Sequence, residues 1–225
     1  MPPLEPAPSV IVNAELPAAA GGQRRVKSAV RECAEAFATA LLLALLVRSF
    51  AVQAFKIPSG SMLPTLQVGD HILVNKFIYG IRLPFRGTLL IPVSMPRRGD
   101  VVVFEYPVDF SKDFIKRVVA VGGDVVQIRD KHVYVNGFPW RDAHAYFADG
   151  EERGHGVRPR DNYGPITVPP HHIFVMGDNR DRSYDSRFWG FVDLNEVKGK
   201  AFLIYWSWDG PDHWVRWDRV GALIH

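Results

Sequence analysis

From about Phe50 to the end, the chain carries no helical period and repeats one pattern, short β-branched or aromatic runs cut by turn formers. The runs are Val101-Val102-Val103-Phe104, Val118-Val119-Ala120-Val121, Val125-Val126-Gln127-Ile128, His132-Val133-Tyr134-Val135, Ile173-Phe174-Val175 and Ala201-Phe202-Leu203-Ile204-Tyr205. Between them stand Arg98-Gly99-Asp100, Gly122-Gly123-Asp124, Asn136-Gly137, Gly164-Pro165 and Pro169-Pro170. Runs this short, punctuated by residues that favour chain reversals, predict a mainly β domain. Asn136-Gly137 is the clearest tight-turn signal. The stretch from Pro139 to about Asn162 is polar and unperiodic, and reads as a small insertion around 139–162.

Ahead of the β region the composition changes twice. Residues 1–25 are rich in Pro and Ala, contain Gly21-Gly22 and show no apolar period, so they are expected to be a disordered tail. Beyond Arg24, Arg25, Lys27 and Arg31, the 12 residues Ala36–Val47 are uncharged and include Leu41-Leu42-Leu43-Ala44-Leu45-Leu46-Val47. A spanning helix needs about 20 apolar residues. That length is reached only by admitting Glu32, Glu35 or Arg48 near the ends, where long charged side chains can snorkel. The segment 26–55 is read as one N-terminal transmembrane anchor, with residues 56–225 as the β domain. A core helix, or a cleavable signal ending near Val52-Gln53-Ala54, remain the other readings. The basic residues ahead of the segment place the amino terminus in the cytoplasm and the β domain outside.

Several function classes drop out. A net charge of +3 spread without a basic stripe argues against nucleic acid as a partner. Cys33 is the single cysteine, which excludes an internal disulfide and a cysteine zinc site. No phosphate loop, His-Glu-x-x-His helix or Gly-x-Ser-x-Gly elbow occurs. The acidic run Asp178–Asp185 lacks the glycine and glutamate of a calcium loop, having Ser186 and Val192 in their places. No metal and no cofactor is expected.

Two segments remain. Ile57-Pro58-Ser59-Gly60-Ser61-Met62-Leu63-Pro64-Thr65-Leu66 sets two serines about a glycine between stiffening prolines. Alone, it reads as a surface turn. In Asp113-Phe114-Ile115-Lys116-Arg117-Val118-Val119, strand alternation puts Lys116 on one face with Phe114 and Val118. Alone, that lysine reads as an edge charge that deters aggregation. Together they permit nucleophilic catalysis with a lysine base. Serine needs a neighbour to take its proton. Keeping an ordinary lysine neutral at pH 7 costs about 4.6 kcal/mol, and burial among apolar groups moves its pKa in the required direction.

These segments, with Gly69-Asp70, Lys76, Arg98–Phe104, Lys116–Asp124 and Met176-Gly177-Asp178-Asn179-Arg180-Asp181-x-Ser183-x-Asp185-Ser186-Arg187-x-x-Gly190, occur in the order found in the bacterial type I signal peptidases, or leader peptidases. The chain resembles that family from roughly residue 28 to its end. The resemblance implies a signal-peptidase-like β catalytic domain, with Ser61 as nucleophile and Lys116 as general base. It further implies an oxyanion hole of the Ser61 N–H and the Ser59 hydroxyl, and a Ser183 hydroxyl that orients the lysine amine. Arg117, Asp185 and Arg187 correspond to a supporting ion-pair group, and Gly177 to a close-packed glycine.

By the same resemblance the substrate is a secretory preprotein, bound as an added strand and cut after an Ala-x-Ala-like signal at the bacterial cytoplasmic membrane. Phe55, Ile57, Ile72, Val103 and Ile115 would line shallow apolar pockets, and the lipid bilayer would be the second partner. A related Ser–Lys peptidase dedicated to a pilin, and a non-catalytic, membrane-tethered peptide-binding β domain, are the alternatives. Trp206, Trp208, Trp214 and Trp217 are expected to pack in the core, or else to form a membrane-facing patch.

Overall fold

The computed structural model describes residues 29–50, 52–82, 89–150, 159–210 and 214–225. The predicted tail 1–25, the basic residues Arg24, Arg25 and Lys27, and positions 151–158 of the insertion lie outside the described residues. The chain divides into two compact units at Leu41–Leu42, within the first helix.

That helix, α1, runs Ala29–Phe50. Its 22 residues, at 1.5 Å each, extend about 33 Å. An Arg31–Glu35 pair at 2.8 Å staples two successive turns near its start. Among the described residues no helix is long and apolar enough to cross a membrane. The segment expected to span the membrane is thus helical from Ala29 to Phe50, without the apolar length of a crossing helix. Its predicted end at residue 55 is also corrected, because Val52 to Lys56 pair as a strand.

The second unit carries fourteen strands among the described residues. They are β1 (Val52–Lys56), β2 (Asp70–Asn75), β3 (Gly80–Arg82), β4 (Leu89–Pro92), β5 (Val101–Tyr106), β6 (Asp109–Val121) and β7 (Val125–Arg129). There follow β8 (His132–Val135), β9 (Phe138–Pro139), β10 (Tyr163–Thr167), β11 (His172–Met176), β12 (Val192–Asp193), β13 (Val197–Asp209) and β14 (Trp214–Val215). A short helix, α2, spans Ser186–Trp189. Each predicted run lies inside a strand. Asn136 (φ 55°) and Gly137 (φ 82°) form the tight β8–β9 turn, a conformation that Asn and Gly tolerate.

The main sheet has the order β1-β2-β13-β5-β6-β11-β12, with β14 pairing β13. A smaller sheet has the order β10-β7-β8-β9, and β3 pairs β4. All these pairings are antiparallel. Alternation along β5 splits the main sheet's two faces. Val101 and Val103 join Ile57, Met62, Leu66, Ile72, Val74 and Ile204 on one side. Val102 and Phe104 join Val118, Ile173, Val175, Val192 and Val197 on the other. A strand covered on both faces reads as an unbroken apolar run, which is why Val101–Phe104 shows no polar alternation. The smaller sheet buries Val126, Ile128, Val133 and Val135 against Val119, Ala120, Phe174 and Met176 of the main sheet.

Two expectations fail here. Gly164-Pro165 is not a separator but part of β10. Trp208, Trp214 and Trp217 are 40%, 67% and 62% exposed, so the core reading of the tryptophans is overturned for these three. They lie on the end of β13, on the two-residue strand β14 and on the 3-10 turn Trp217–Arg219, outside the three buried clusters.

Candidate active site

The serine segment folds as a 3-10 turn, Gly60–Met62, immediately after β1. Its flanks are tied down from both ends. Ile57 N–H donates to the Asp70 carbonyl at 2.8 Å and its own carbonyl accepts from Gly69 N–H at 3.0 Å. Met62 and Leu66 are fully buried and anchor the turn in the core, each worth about 1.5–3 kcal/mol. Ser61 is left half-buried at the lip of a cleft of about 600 Å³. Ser59 lies in extended backbone, exposed, on the same lip.

Lys116 enters from the middle of β6. Its Nζ lies 2.8 Å from Ser61 Oγ and donates to the Ile115 carbonyl at 2.9 Å. The amine stands 5.4 Å from the centre of the Phe114 ring, as the shared strand face predicts. Only 4% of Lys116 is exposed. Burial is the main cause that pulls its pKa from an ordinary 10.5 to about 8. The Asp185 and Asp178 carboxylates oppose that fall and the Arg187 guanidinium adds to it.

Beneath the pair lies a loop rich in buried charge. Arg117, one residue after the lysine, points to the opposite face and grips Asp178 with two bonds, 2.8 and 2.7 Å. Both side chains are at most 1% exposed. Asp185 holds Arg187 the same way, at 2.8 and 2.9 Å, and also accepts from Gly177 N–H at 3.0 Å. Burial pushes the Asp185 carboxyl up, but Arg187 and the surrounding donors outweigh it and hold the group ionised, below its ordinary pKa. The expected single ion-pair group is therefore two separate pairs, because strand alternation sends Arg117 to Asp178 rather than to Asp185.

Gly177 sits where no side chain fits. A Cβ there would lie 2.4 Å from the Ser61 carbonyl oxygen and 2.3 Å from Ser183 Oγ. Ser183 is buried beside it, with its hydroxyl on the Asp185 carboxylate, whose pKa it helps to lower. The expected bond from Ser183 to the lysine amine is not formed: the amine bonds Ser61 Oγ and the Ile115 carbonyl, and the Ser183 hydroxyl faces Asp185 instead.

The five expected pocket residues come together in one cluster. Ile57, Ile72 and Val103 are at most 2% exposed and form its core, with Phe55 and Ile115 partly buried against it. Among the described residues only Ile115 of the five also lines the cleft, beside Leu63, Asp113, Phe114, Asn179, Arg182 and Tyr184. Sequence reasoning assigned no part to Thr65, Asp178 or Asn179. Thr65 Oγ1 donates to Asp178 Oδ2 at 2.6 Å, tying the serine turn to the loop. The signal was available: an arginine on a buried strand face requires a carboxylate partner.

A hydroxyl within hydrogen-bond reach of a buried lysine whose pKa has fallen is the arrangement of a serine hydrolase in which an amine replaces histidine. The family model described as signal peptidase, peptidase S26, matches residues 30–206. Signal peptidase I of Pseudomonas aeruginosa is 41% identical, the match covering 85% of this chain and 78% of that protein. Signal peptidase I of Aquifex aeolicus is 37% identical over 76% of this chain and 82% of that one. A solved signal peptidase I from Enterococcus faecalis is 28% identical over 48% of this chain and 97% of its own, with a TM-score of 0.38. The chain belongs to the signal peptidase family, peptidase S26.

Proposed function

We propose that the chain removes signal peptides from secreted preproteins, with Ser61 as nucleophile and Lys116 as general base. The observation that carries this reading is the 2.8 Å approach of Ser61 Oγ to a buried Lys116 amine with a pKa near 8. In the neutral amine, Nζ accepts the Ser61 proton as Oγ attacks the scissile carbonyl. The oxyanion so formed is met by the Ser61 N–H and the Ser59 hydroxyl. Collapse breaks the peptide bond as Lys116 returns its proton to the leaving amine. Water then attacks the acyl-enzyme, giving its proton to Lys116, and Ser61 is regenerated with release of the signal peptide's new carboxylate. Arg117, Gly177, Asp185 and Arg187 support the loop, and Ser183 packs against Gly177 within it.

The sheet's own pairing supports an added-strand mode of binding. β11 pairs with β6 from Val121 to Arg117 and goes no further. From Lys116 back to Asp113, β6 pairs with β5 on its other side. A peptide laid along that continuing edge, opposite Ser59–Ser61, takes the place where β11 leaves off. Its side chains then alternate over Ile115, with the cluster of Phe55, Ile57, Ile72 and Val103 packed beneath it. With Ile57, Ile72 and Val103 almost fully buried below, the pockets above them are shallow and accept residues the size of alanine.

We also propose that α1 tethers the enzyme at the bacterial cytoplasmic membrane, with the β domain outside. The uncharged stretch Ala36–Val47 extends only about 18 Å of a hydrocarbon core of about 30 Å. Insertion therefore draws on pairing of the charges near the start of the helix, as in the Arg31–Glu35 pair.

The deciding experiment is preprotein cleavage by membranes carrying the parent, Ser61→Ala or Lys116→Ala. Both variants are expected to fold and to lose cleavage by at least about 10³-fold. Cleavage retained by Ser61→Ala would remove Ser61 as the nucleophile, whereas binding without cleavage by the parent chain would favour the peptide-binding alternative.

A further inference from the structure

The loop that carries the buried ion pairs also touches the nucleophile's own backbone, through one residue. Asn179 N–H donates to the Ser61 carbonyl at 3.1 Å, and Asn179 Nδ2 donates to the Gly60 carbonyl at 3.3 Å. Leu63 N–H donates to that same Gly60 carbonyl at 3.2 Å. Asn179 is 3% exposed, yet it borders the cleft with Gly60, Ser61 and Lys116. A trans peptide is planar, with its N–H opposite its C=O. Whatever fixes the direction of the Gly60 carbonyl therefore fixes the direction of the Ser61 N–H.

We propose that Asn179 is a positioning residue for the oxyanion hole: its carboxamide locks the Gly60–Ser61 peptide plane so that the Ser61 N–H stays aimed at the developing negative charge. The proposal rests on Ser61 being the nucleophile. The hydrogen bonds of the lysine amine and the serine hydroxyl do not involve Asn179, so its contribution is to the aim of a donor and not to the transfer of a proton. A donor aimed before the reaction needs no reorientation as charge develops, which is where such sites gain most of their rate. Neighbouring contacts hold the turn without the carboxamide. Thr65 donates to Asp178, Met62 and Leu66 are buried, and the Asn179 backbone N–H survives any side-chain change. Losing Nδ2 should thus loosen the peptide plane without unfolding the turn.

The test uses the full chain with Asn179→Leu, nearly the same shape without a donor, and Asn179→Ala. Four quantities are read on an Ala-x-Ala peptide substrate: kcat, KM, the acid limb of kcat/KM, and the melting temperature. A peptide aldehyde, whose adduct with Ser61 carries the tetrahedral oxygen, is compared with a non-cleavable peptide of the same sequence. The expected result is a kcat about 10- to 100-fold lower, smaller than the about 10²–10³-fold of removing a donor outright. KM and the acid limb should not move, and aldehyde affinity should fall by the same factor as kcat while affinity for the uncleavable peptide holds. A loss confined to KM, a displaced acid limb or unchanged aldehyde affinity would overturn the proposal. So would unfolding of both variants, which would make the residue a structural one. Full cleavage by Ser61→Ala in the same assay would instead remove the reading on which the proposal stands.

Discussion

A lysine amine in water holds its proton until pH 10.5, and Lys116 gives its proton up near 8 because burial removes the water that stabilises the charge. The same burial costs stability. The unfolded chain binds this proton more tightly than the folded one, so folding stability rises as pH climbs from about 8 to 10.5, and the penalty is fully present below about 8. A difference from 10.5 to about 8 corresponds to about 3 kcal/mol. Lys116→Met, which fills the cavity without a charge, should therefore be inactive yet about 1–3 kcal/mol more stable at pH 7 in urea unfolding. A destabilised Lys116→Met would mean that the amine is not strained in its site. Burial of Lys116 was only half legible in the sequence. Alternation placed it among apolar neighbours, but base rates for strand lysines favoured an exposed edge, and the resemblance to signal peptidases was needed to tip the balance.

The elements meet where β11 ends and the loop to α2 begins. There Asp178 is shared between Arg117 of β6 and Thr65 of the serine turn, so one carboxylate ties the base's strand to the nucleophile's turn. Asp178→Asn keeps the shape and leaves the Arg117 guanidinium buried without its counter-charge. It should lower stability by about 3–5 kcal/mol, as measured by chemical denaturation. A loss below about 1 kcal/mol would show that the pair is not part of what holds the site. Strands with concentrated β-branched residues were readable in advance. β1, β2 and β10 were not, for identifiable reasons. Val52–Lys56 follows directly on an apolar helix, and Asp70–Asn75 opens on Asp and His. Tyr163–Thr167 contains a Gly-Pro step that reads as a turn and is accommodated here as a register shift in the β10–β7 pairing.

On the scale of the molecule, Ser61 and Lys116 stand 55 residues apart in sequence and meet although β2, β13 and β5 lie between β1 and β6 in the sheet. No local period could reveal that meeting. The exposed tryptophans were likewise beyond a sequence reading, since aromatic composition alone does not say whether a second layer covers a strand. The helical segment raises its own question of attachment. Leu42 and Leu43 are 59% and 57% exposed on α1. Replacing both with arginine should release the protein from the membrane fraction, since each charge costs about 2.5–3.5 kcal/mol at a helix centre. Cleavage of a soluble peptide should be unaffected. Retention in the membrane after carbonate washing would place the attachment elsewhere. Most directly, the pH dependence of kcat/KM on a soluble Ala-x-Ala peptide tests whether a neutral Lys116 activates Ser61. An acid limb of unit slope centred near pH 8 is predicted, with about 1% of plateau activity left at pH 6. A profile flat down to pH 6, or one still rising through pH 10, would contradict it.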